Sequence, residues 1–460
     1  WYRLDLVEKN KEYIVNITDI NHDGQGVGRI GEFAVFVDGA LSGETVKVKI
    51  IKVLKNYAIG KLLEISKLSP SRIEPFCQIY KRCGGCSLQH MDYKTQLDFK
   101  TKMVRESLQR IGKIDIAKMV VHETIGMGYP FEYRNKSQYP VGMAGGKPVI
   151  GFYAKRSHDI VEVENCGIHR HSDNIIRKVF KEYIEKNKIS VYDEKKHSGL
   201  VRHLVIRTGF KTGEIMVIVV INGAVLPDKE LLINDLSTQI PEIRSIVLNI
   251  NTNQTNIIMG EENKVIYGPG TIKDYIGNLK FQISPLSFFQ VNPIQAEVLY
   301  NKAVEFAMLS GEETVFDLYS GTGTIALFMA AGAKRVYGIE AVKEAVADAD
   351  INKNINGISN AEFIAGEVEK TIGNLSCRGV KADVVVVDPP RKGCEATALD
   401  SIASMKPTRI VYVSCNPATL ARDLAHLSEH GYEPCEVQPV DMFPWTTHVE
   451  CVVLMSRVKD

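Results

Sequence analysis

Thr314-Val315-Phe316-Asp317-Leu318 runs into Tyr319-Ser320-Gly321-Thr322-Gly323-Thr324, and Ile325-Ala326-Leu327-Phe328-Met329-Ala330-Ala331 follows. The first stretch reads as a buried strand, the second as a glycine turn and the third as a helix. A helix N-terminus after such a turn presents unpaired amides, and Gly321 and Gly323 let the backbone approach a ligand. The next strand, Arg335-Val336-Tyr337-Gly338-Ile339, ends at Glu340, an acid able to bind ribose hydroxyls. Gly321-x-Gly323-x-x-Ala326 also satisfies a relaxed dinucleotide fingerprint, so the glycines point to a nucleotide-type cofactor without naming it. Strands alternating with helices in this way predict an α/β, Rossmann-like domain.

Two further strands end in unusual residues. Ala382-Asp383-Val384-Val385-Val386-Val387 runs into Asp388-Pro389-Pro390-Arg391. Proline cannot donate to a ladder, so it ends the strand and fixes Asp388 at the tip. The segment alone reads equally well as a Pro-Pro turn with a solvated Asp. Arg409-Ile410-Val411-Tyr412-Val413 is likewise closed by Ser414-Cys415-Asn416-Pro417. Ligands of open α/β sheets gather outside the carboxyl ends of the strands, which is where Cys415 stands. A thiol there is a nucleophile if its thiolate is favoured, and otherwise a small apolar filler.

In order and spacing, the Asp317 to Thr324 segment, Glu340, Asp388-Pro389-Pro390-Arg391 and Ser414-Cys415-Asn416-Pro417 resemble the S-adenosylmethionine (SAM)-dependent RNA uracil-C5 methyltransferases. The resemblance extends to Ser287-Phe288-Phe289-Gln290-Val291-Asn292 and to His448-Val449-Glu450. It implies Gln290, Tyr319, Glu340 and Asp388 around SAM, Cys415 as nucleophile and Glu450 as general base. Carbon 5 of uracil is too electron-poor to attack a methyl sulfonium, so a thiolate must first add to carbon 6. A carboxylate must then remove the carbon 5 proton before the cysteine leaves. An RNA cytosine-C5 methyltransferase needs the same thiol addition, but usually carries Pro-Cys where this chain has Asp388-Pro389-Pro390-Arg391. A noncatalytic RNA-binding iron-sulfur protein is the reading from a different class.

Nine cysteines divide by spacing. Cys77, Cys83 and Cys86 form a C-x5-C-x2-C cluster, and Cys166 follows later. Four soft ligands suit a structural zinc site or a cluster, and the Gly84-Gly85 turn lets amides point at sulfur. The resemblance favours a [4Fe-4S] cluster, in a structural role that closes a loop of about ninety residues. Cys377, Cys394, Cys435 and Cys451 show no ligand spacing and read as packing residues.

Around this core, residues 8–68 alternate in short strands broken by glycine turns and predict a small β-barrel. His22-Asp23-Gly24-x-Gly26-Val27-Gly28-Arg29 makes it similar to the OB-like TRAM domain, which implies RNA binding. Residues 69–92 and 125–272 are assigned to a central α+β domain with the four cysteines, and 93–124 and 273–460 to the catalytic domain. Net charge is only +1, yet residues 46–110 hold fourteen Lys and Arg against five acids. That stretch, with Tyr57, Tyr80 and Tyr93 interleaved, predicts an RNA track in which fewer than half of the charges touch RNA and the rest are solvated faces. No apolar run reaches membrane length, and the first residues lack a basic n-region and an apolar h-region, which predicts a cytoplasmic location. The iron-sulfur site beside a TRAM barrel resembles the 23S ribosomal RNA enzymes more than the transfer-RNA ones. The expected partner is therefore 23S rRNA, and the expected state a monomer.

Overall fold

The computed structural model describes residues 7–458; the first residues, read above for a leader, and the last two of the catalytic assignment lie outside it. A closed barrel comes first, from β1 (Glu12–Ile20), β2 (Gly26–Ile30), β3 (Phe33–Val37), β4 (Thr45–Val53) and β5 (Tyr57–Lys67). Alternate residues such as Val46, Val48 and Ile50 fill its interior while Lys47 and Lys49 point outward. That period of two is what closes a barrel on itself.

After α1 (Tyr93–Arg110) and the short β6 (Val120–Val121), a second sheet forms. It uses β7 (Lys136–Ala144), β8 (Lys147–Tyr153), β9 (Ile160–Glu162), β10 (Val201–Thr208), β11 (Ile215–Ile221), β12 (Ile243–Ile250) and β13 (Glu262–Tyr267). Their order is β13-β12-β11-β10-β7-β8-β9. Every residue of β10 and β11 is buried, because helices α2 (His171–Lys186) and α3 (Lys229–Gln239) cover one face. The other face, through Val205, Met216, Ile218 and Val220, shares a core with the C-terminal half.

A hairpin of β14 (Ile272–Ile276) and β15 (Leu279–Ile283) leads to α4 (Pro293–Ala307), then the strand and helix quoted first, β16 (Thr314–Leu318) and α5 (Thr324–Ala330). Next come β17 (Arg335–Glu340), α6 (Lys343–Ile355), β18 (Ala361–Ala365), α7 (Val368–Cys377), β19 (Val384–Val387) and α8 (Ala396–Ser404). The chain closes with β20 (Arg409–Ser414), α9 (Pro417–Glu429), β21 (Tyr432–Val440) and β22 (Glu450–Arg457). The sheet order is β18-β17-β16-β19-β20-β22-β21-β6, parallel from β18 through β20, with β22 antiparallel to its neighbours. Continuous valines are required because both faces are covered. Val384 and Val386 pack with α4 and α5, while Val385 and Val387 pack with α8 and α9.

The direction of chain travel reverses between β16 and β19, which opens a crevice at their carboxyl ends. No helix among the described residues is long and apolar enough to cross a membrane.

Candidate active site

The residues read from sequence reach one edge of the eight-stranded sheet from five strands. Tyr319 follows β16, Glu340 ends β17, Asp388 follows β19 and Cys415 follows β20. Glu450 opens β22, and because that strand is antiparallel its first residue lies at the same edge. The register pairs Ser414 with Cys451, so Cys415 and Glu450 leave neighbouring strands side by side.

The cofactor side is built by backbone geometry. Tyr319 (φ 63°) and Gly321 (φ 53°) both lie in the left-handed region. The Tyr319 conformation is costly for a residue with a side chain, and it turns the chain sharply out of the strand. The amides of Gly321 and Val342 donate to the two Glu340 carboxylate oxygens at 3.0 and 2.9 Å, fixing that side chain beside the turn. Gly323 has φ 81°, and a Cβ there would lie 2.6 Å from the Phe363 ring. Gly323→Ala is therefore expected to cost roughly 1–3 kcal/mol and to weaken SAM binding at least tenfold, read by thermal melting and calorimetry. Unchanged SAM affinity would detach this turn from the cofactor.

Gln290 is 8 % exposed; Asn135 donates to its carbonyl through Nδ2 at 2.9 Å, and the Asn135 amide donates to Val291. The central sheet thus holds the Gln290 segment in place. Two further groups join it, Asp317, quoted in the opening segment but given no role, and Tyr300. Asp317 is fully buried with no side-chain partner for either carboxylate oxygen, and burial and Asp388 push its pKa well up. A buried acid beneath the glycine turn with unused side-chain hydrogen-bonding capacity fits a polar group of a bound cofactor such as SAM. Its signal was an acid inside an otherwise apolar strand. Tyr300 on α4 is buried, with burial and the Asp388 charge pushing its hydroxyl well up, and no spacing in the sequence marked it.

The reacting side is electrostatically tense. Burial pushes Asp388 up to about 7. Burial and the Asp388 charge push Glu450, 5 % exposed, up to about 8. Burial, Glu450 and Asp388 push Cys415 up to about 11. Arg391 opposes the shift of both Glu450 and Cys415. A carboxyl and a thiol that both feel one guanidinium and the Asp388 charge are poised to exchange protons rather than to hold fixed charge. Arg391 was quoted in the Pro-Pro segment but given no role.

Cys415 opens onto a cleft of about 670 Å³ lined by Asn21 and His22 of the barrel, Lys102 and Arg110 of α1, Arg391 and His448. The turn between β1 and β2 approaches the loop before Glu450 so closely that a Cβ on Gly24 would lie 2.9 Å from Thr447. The barrel and Cys415 share one cleft.

The basic track is only partly exposed. Lys100 is fully buried against Asp441, and Arg72 is tied to the buried Glu44, so neither reaches RNA. Tyr80 is also buried, its hydroxyl donating to the Ser87 carbonyl, and so offers no stacking face. These corrections share a cause: paired charges and satisfied hydroxyls are cheap to bury, and a count of lysines does not reveal pairing. Cys377 is exposed and so is not a packing residue, whereas Cys394 and Cys451 are buried.

Cys77, Cys83, Cys86 and Cys166 line a single cavity of about 340 Å³ with Arg134, Lys136 and His169. The Gly85 amide donates to Cys83 Sγ at 3.4 Å. Among the described residues, no three of these sulfurs lie within 4.8 Å of one another. One tetrahedral zinc with bonds of about 2.3 Å would hold them about 3.8 Å apart.

Fold, crevice and edge residues together define a SAM-dependent methyltransferase of the Rossmann-like class. The tRNA (Uracil-5-)-methyltransferase family model matches residues 256–458, and the TRAM domain model matches residues 6–63. A Clostridium tetani protein named as an RNA methyltransferase is 53% identical over 454 residues, 99% of this chain and 98% of the relative. One from Caldanaerobacter subterraneus subsp. tengcongensis is 53% identical over 455 residues, 99% and 100% of the two chains. The crystal structure of Pyrococcus abyssi tRNA (uracil-54, C5)-methyltransferase with S-adenosyl-L-homocysteine is 30% identical, with TM-score 0.78 over 96% of this chain and 99% of that one. The chain belongs to the SAM-dependent RNA uracil-5-methyltransferase family, with an N-terminal TRAM domain.

Proposed function

We propose that the chain methylates carbon 5 of a uridine in 23S rRNA, acting as a cytoplasmic monomer, with Cys415 as nucleophile and Glu450 as base. The observation that carries the chemistry is the placement of Cys415 and Glu450 on adjacent strand ends, with Asp388 and Arg391 acting on both. SAM, when bound, supplies the methyl group. Burial and the neighbouring carboxyls hold Cys415 as a thiol, so its proton passes to the Asp388 carboxylate as the sulfur adds to carbon 6, and the electron pair displaced from the ring double bond makes carbon 5 nucleophilic. Once carbon 5 carries the methyl group, Glu450 takes its remaining proton and the C6–S bond breaks, restoring the double bond and the thiolate. A carboxyl raised to about 8 is a stronger base than an ordinary Glu, which suits removal of a carbon-bound proton.

Gln290, Tyr319, Glu340 and Asp388 are assigned to SAM, joined by Asp317, and Arg391 to holding charge near the ring oxygens. The four cysteines are assigned to a [4Fe-4S] cluster, supported by the single cavity of about 340 Å³ that they line. Carbon 5 methylation moves no net electrons, so this cluster serves structure, its cavity walled by the loop that hydrogen-bonds Trp445 near Glu450. Ribosomal RNA is preferred because the cysteine site accompanies a TRAM barrel. Transfer RNA is the second reading, favoured by the substrate named for the Pyrococcus abyssi enzyme.

The test is mass spectrometry of anaerobically purified protein incubated with SAM and with 5-fluorouridine-substituted 23S rRNA or tRNA. Fluorine at carbon 5 blocks the final proton removal. The expected result is a methylated nucleotide on Cys415 with rRNA, and none with Cys415→Ala. An adduct with tRNA alone would move the assignment to the second reading, and no adduct with either RNA would overturn the proposed chemistry.

A further inference from the structure

On the outer face of the catalytic sheet, away from the edge just described, α8 and α9 bring together three side chains that the reaction does not use. His426 and His430 stand one turn apart at the C-terminal end of α9, and Asp400 projects from α8. Residues four apart share a helix face, and here the two imidazole rings stack at 4.8 Å between centroids. Both address the same carboxylate oxygen: Asp400 Oδ1 lies 2.7 Å from His426 Nε2 and 3.4 Å from His430 Nε2. One ligand atom from each of the three lies within 4.8 Å of the others.

We propose that Asp400, His426 and His430 form a binding site for a borderline divalent transition ion of the zinc type. The tautomer of His430 carries the inference. Its Nδ1 is 2.9 Å from the backbone carbonyl oxygen of His426, and a carbonyl only accepts, so Nδ1 bears the hydrogen. In the neutral ring Nε2 then holds a lone pair, and it faces an anionic oxygen. A divalent ion held between Asp400 Oδ1 and the two Nε2 atoms would satisfy that lone pair and the carboxylate together. An imidazole whose remote nitrogen donates to a backbone carbonyl is the usual arrangement of a metal-ligating histidine. Two imidazoles and one carboxylate suit zinc, nickel, cobalt or copper better than magnesium or calcium. The negative end of the α9 dipole adds to the preference for a cation. With three protein ligands and an exposed surface, the fourth position falls to water. Such an ion clamps the end of α9, the helix that begins two residues after Cys415, to α8.

The test uses the iron-loaded protein dialysed against micromolar zinc, with zinc and iron counted per chain. The expected result is one bound zinc, unchanged iron and a zinc-dependent rise in melting temperature. His430→Asn keeps a donor for the His426 carbonyl but removes the Nε2 lone pair, and Asp400→Asn removes the charge. Both are expected to fold, to keep their iron and to lose the zinc and the melting shift. Zinc bound equally by the variants, zinc taken up only as iron is lost, or no zinc on the wild type would each overturn the site.

Discussion

Glu450→Gln is expected to stop turnover while leaving a methylated uridine covalently attached to Cys415 in ordinary, unfluorinated RNA. The amide keeps the size of the side chain and removes its ability to take the carbon 5 proton, so addition and methyl transfer proceed and elimination does not. Loss of a positioned base costs on the order of 10²–10⁴ in rate. The adduct should survive denaturing electrophoresis and be absent from the double variant with Cys415→Ala. If Glu450→Gln turns over at the wild-type rate, Glu450 is not the base. The same carboxyl sets a pH dependence. Burial, with the Asp388 charge beside it, raises Glu450 to about 8, so wild-type kcat/KM should climb through that region as the base ionises. Stability should move the other way. A carboxyl with a folded pKa above its unfolded value binds its proton more tightly when folded, so its contribution is full below about 4.5 and is lost as pH rises toward 8. Glu450→Gln should therefore melt higher than wild type at pH 8, with the gap closing toward pH 5. A gap that widens on acidification would contradict the assigned shift.

Much of this site was legible because its residues sit at strand ends, where sequence patterns are strongest. An apolar run closed by Pro389 or by Asn416-Pro417 announces both the strand and its tip, and β19 and β20 end as those runs do. Gly321 and Gly323 were readable for the same reason, since a turn entering a helix needs their conformations. The role of Asp317, quoted only as part of a motif, and Tyr300 altogether were not legible, because their importance lies in what surrounds them across the fold. Asp317 looks like one polar residue in a strand until its carboxylate proves to be buried without a side-chain partner. The charge balance around Cys415 was equally hidden: the approach of Asp388, Arg391 and Glu450 depends on the order β16-β19-β20-β22, which no local window contains. Local pattern identifies candidates, and strand order decides which of them share an electric field.

Lys100 is the residue whose reading changed most, and its replacement should have the largest effect on stability. Its ammonium is fully buried, paired with Asp441 and donating to the Phe443 carbonyl at 3.1 Å. Asp441 also accepts from the Tyr93 hydroxyl at 2.8 Å, and that hydroxyl accepts from the Met127 amide at 2.9 Å. Lys100 and Tyr93 both lie on α1, so this network fastens the cleft-lining helix to the loop that runs from Asp441 to Glu450. Lys100→Met is expected to destabilise the protein by roughly 3–5 kcal/mol, because it strands the Asp441 charge in the interior. Asp441→Leu should cost a similar amount by stranding the ammonium. The double variant should recover a large part of the loss, since a buried pair exchanged for apolar side chains leaves no uncompensated charge. Denaturant unfolding of the four proteins measures the coupling directly. An exposed phosphate contact would behave otherwise: Lys100→Met would weaken RNA binding and flatten its salt dependence while leaving the unfolding midpoint unmoved. A large stability loss with recovery in the double variant assigns Lys100 to the scaffold that holds Glu450. An unmoved midpoint with weaker RNA binding would return it to the RNA surface.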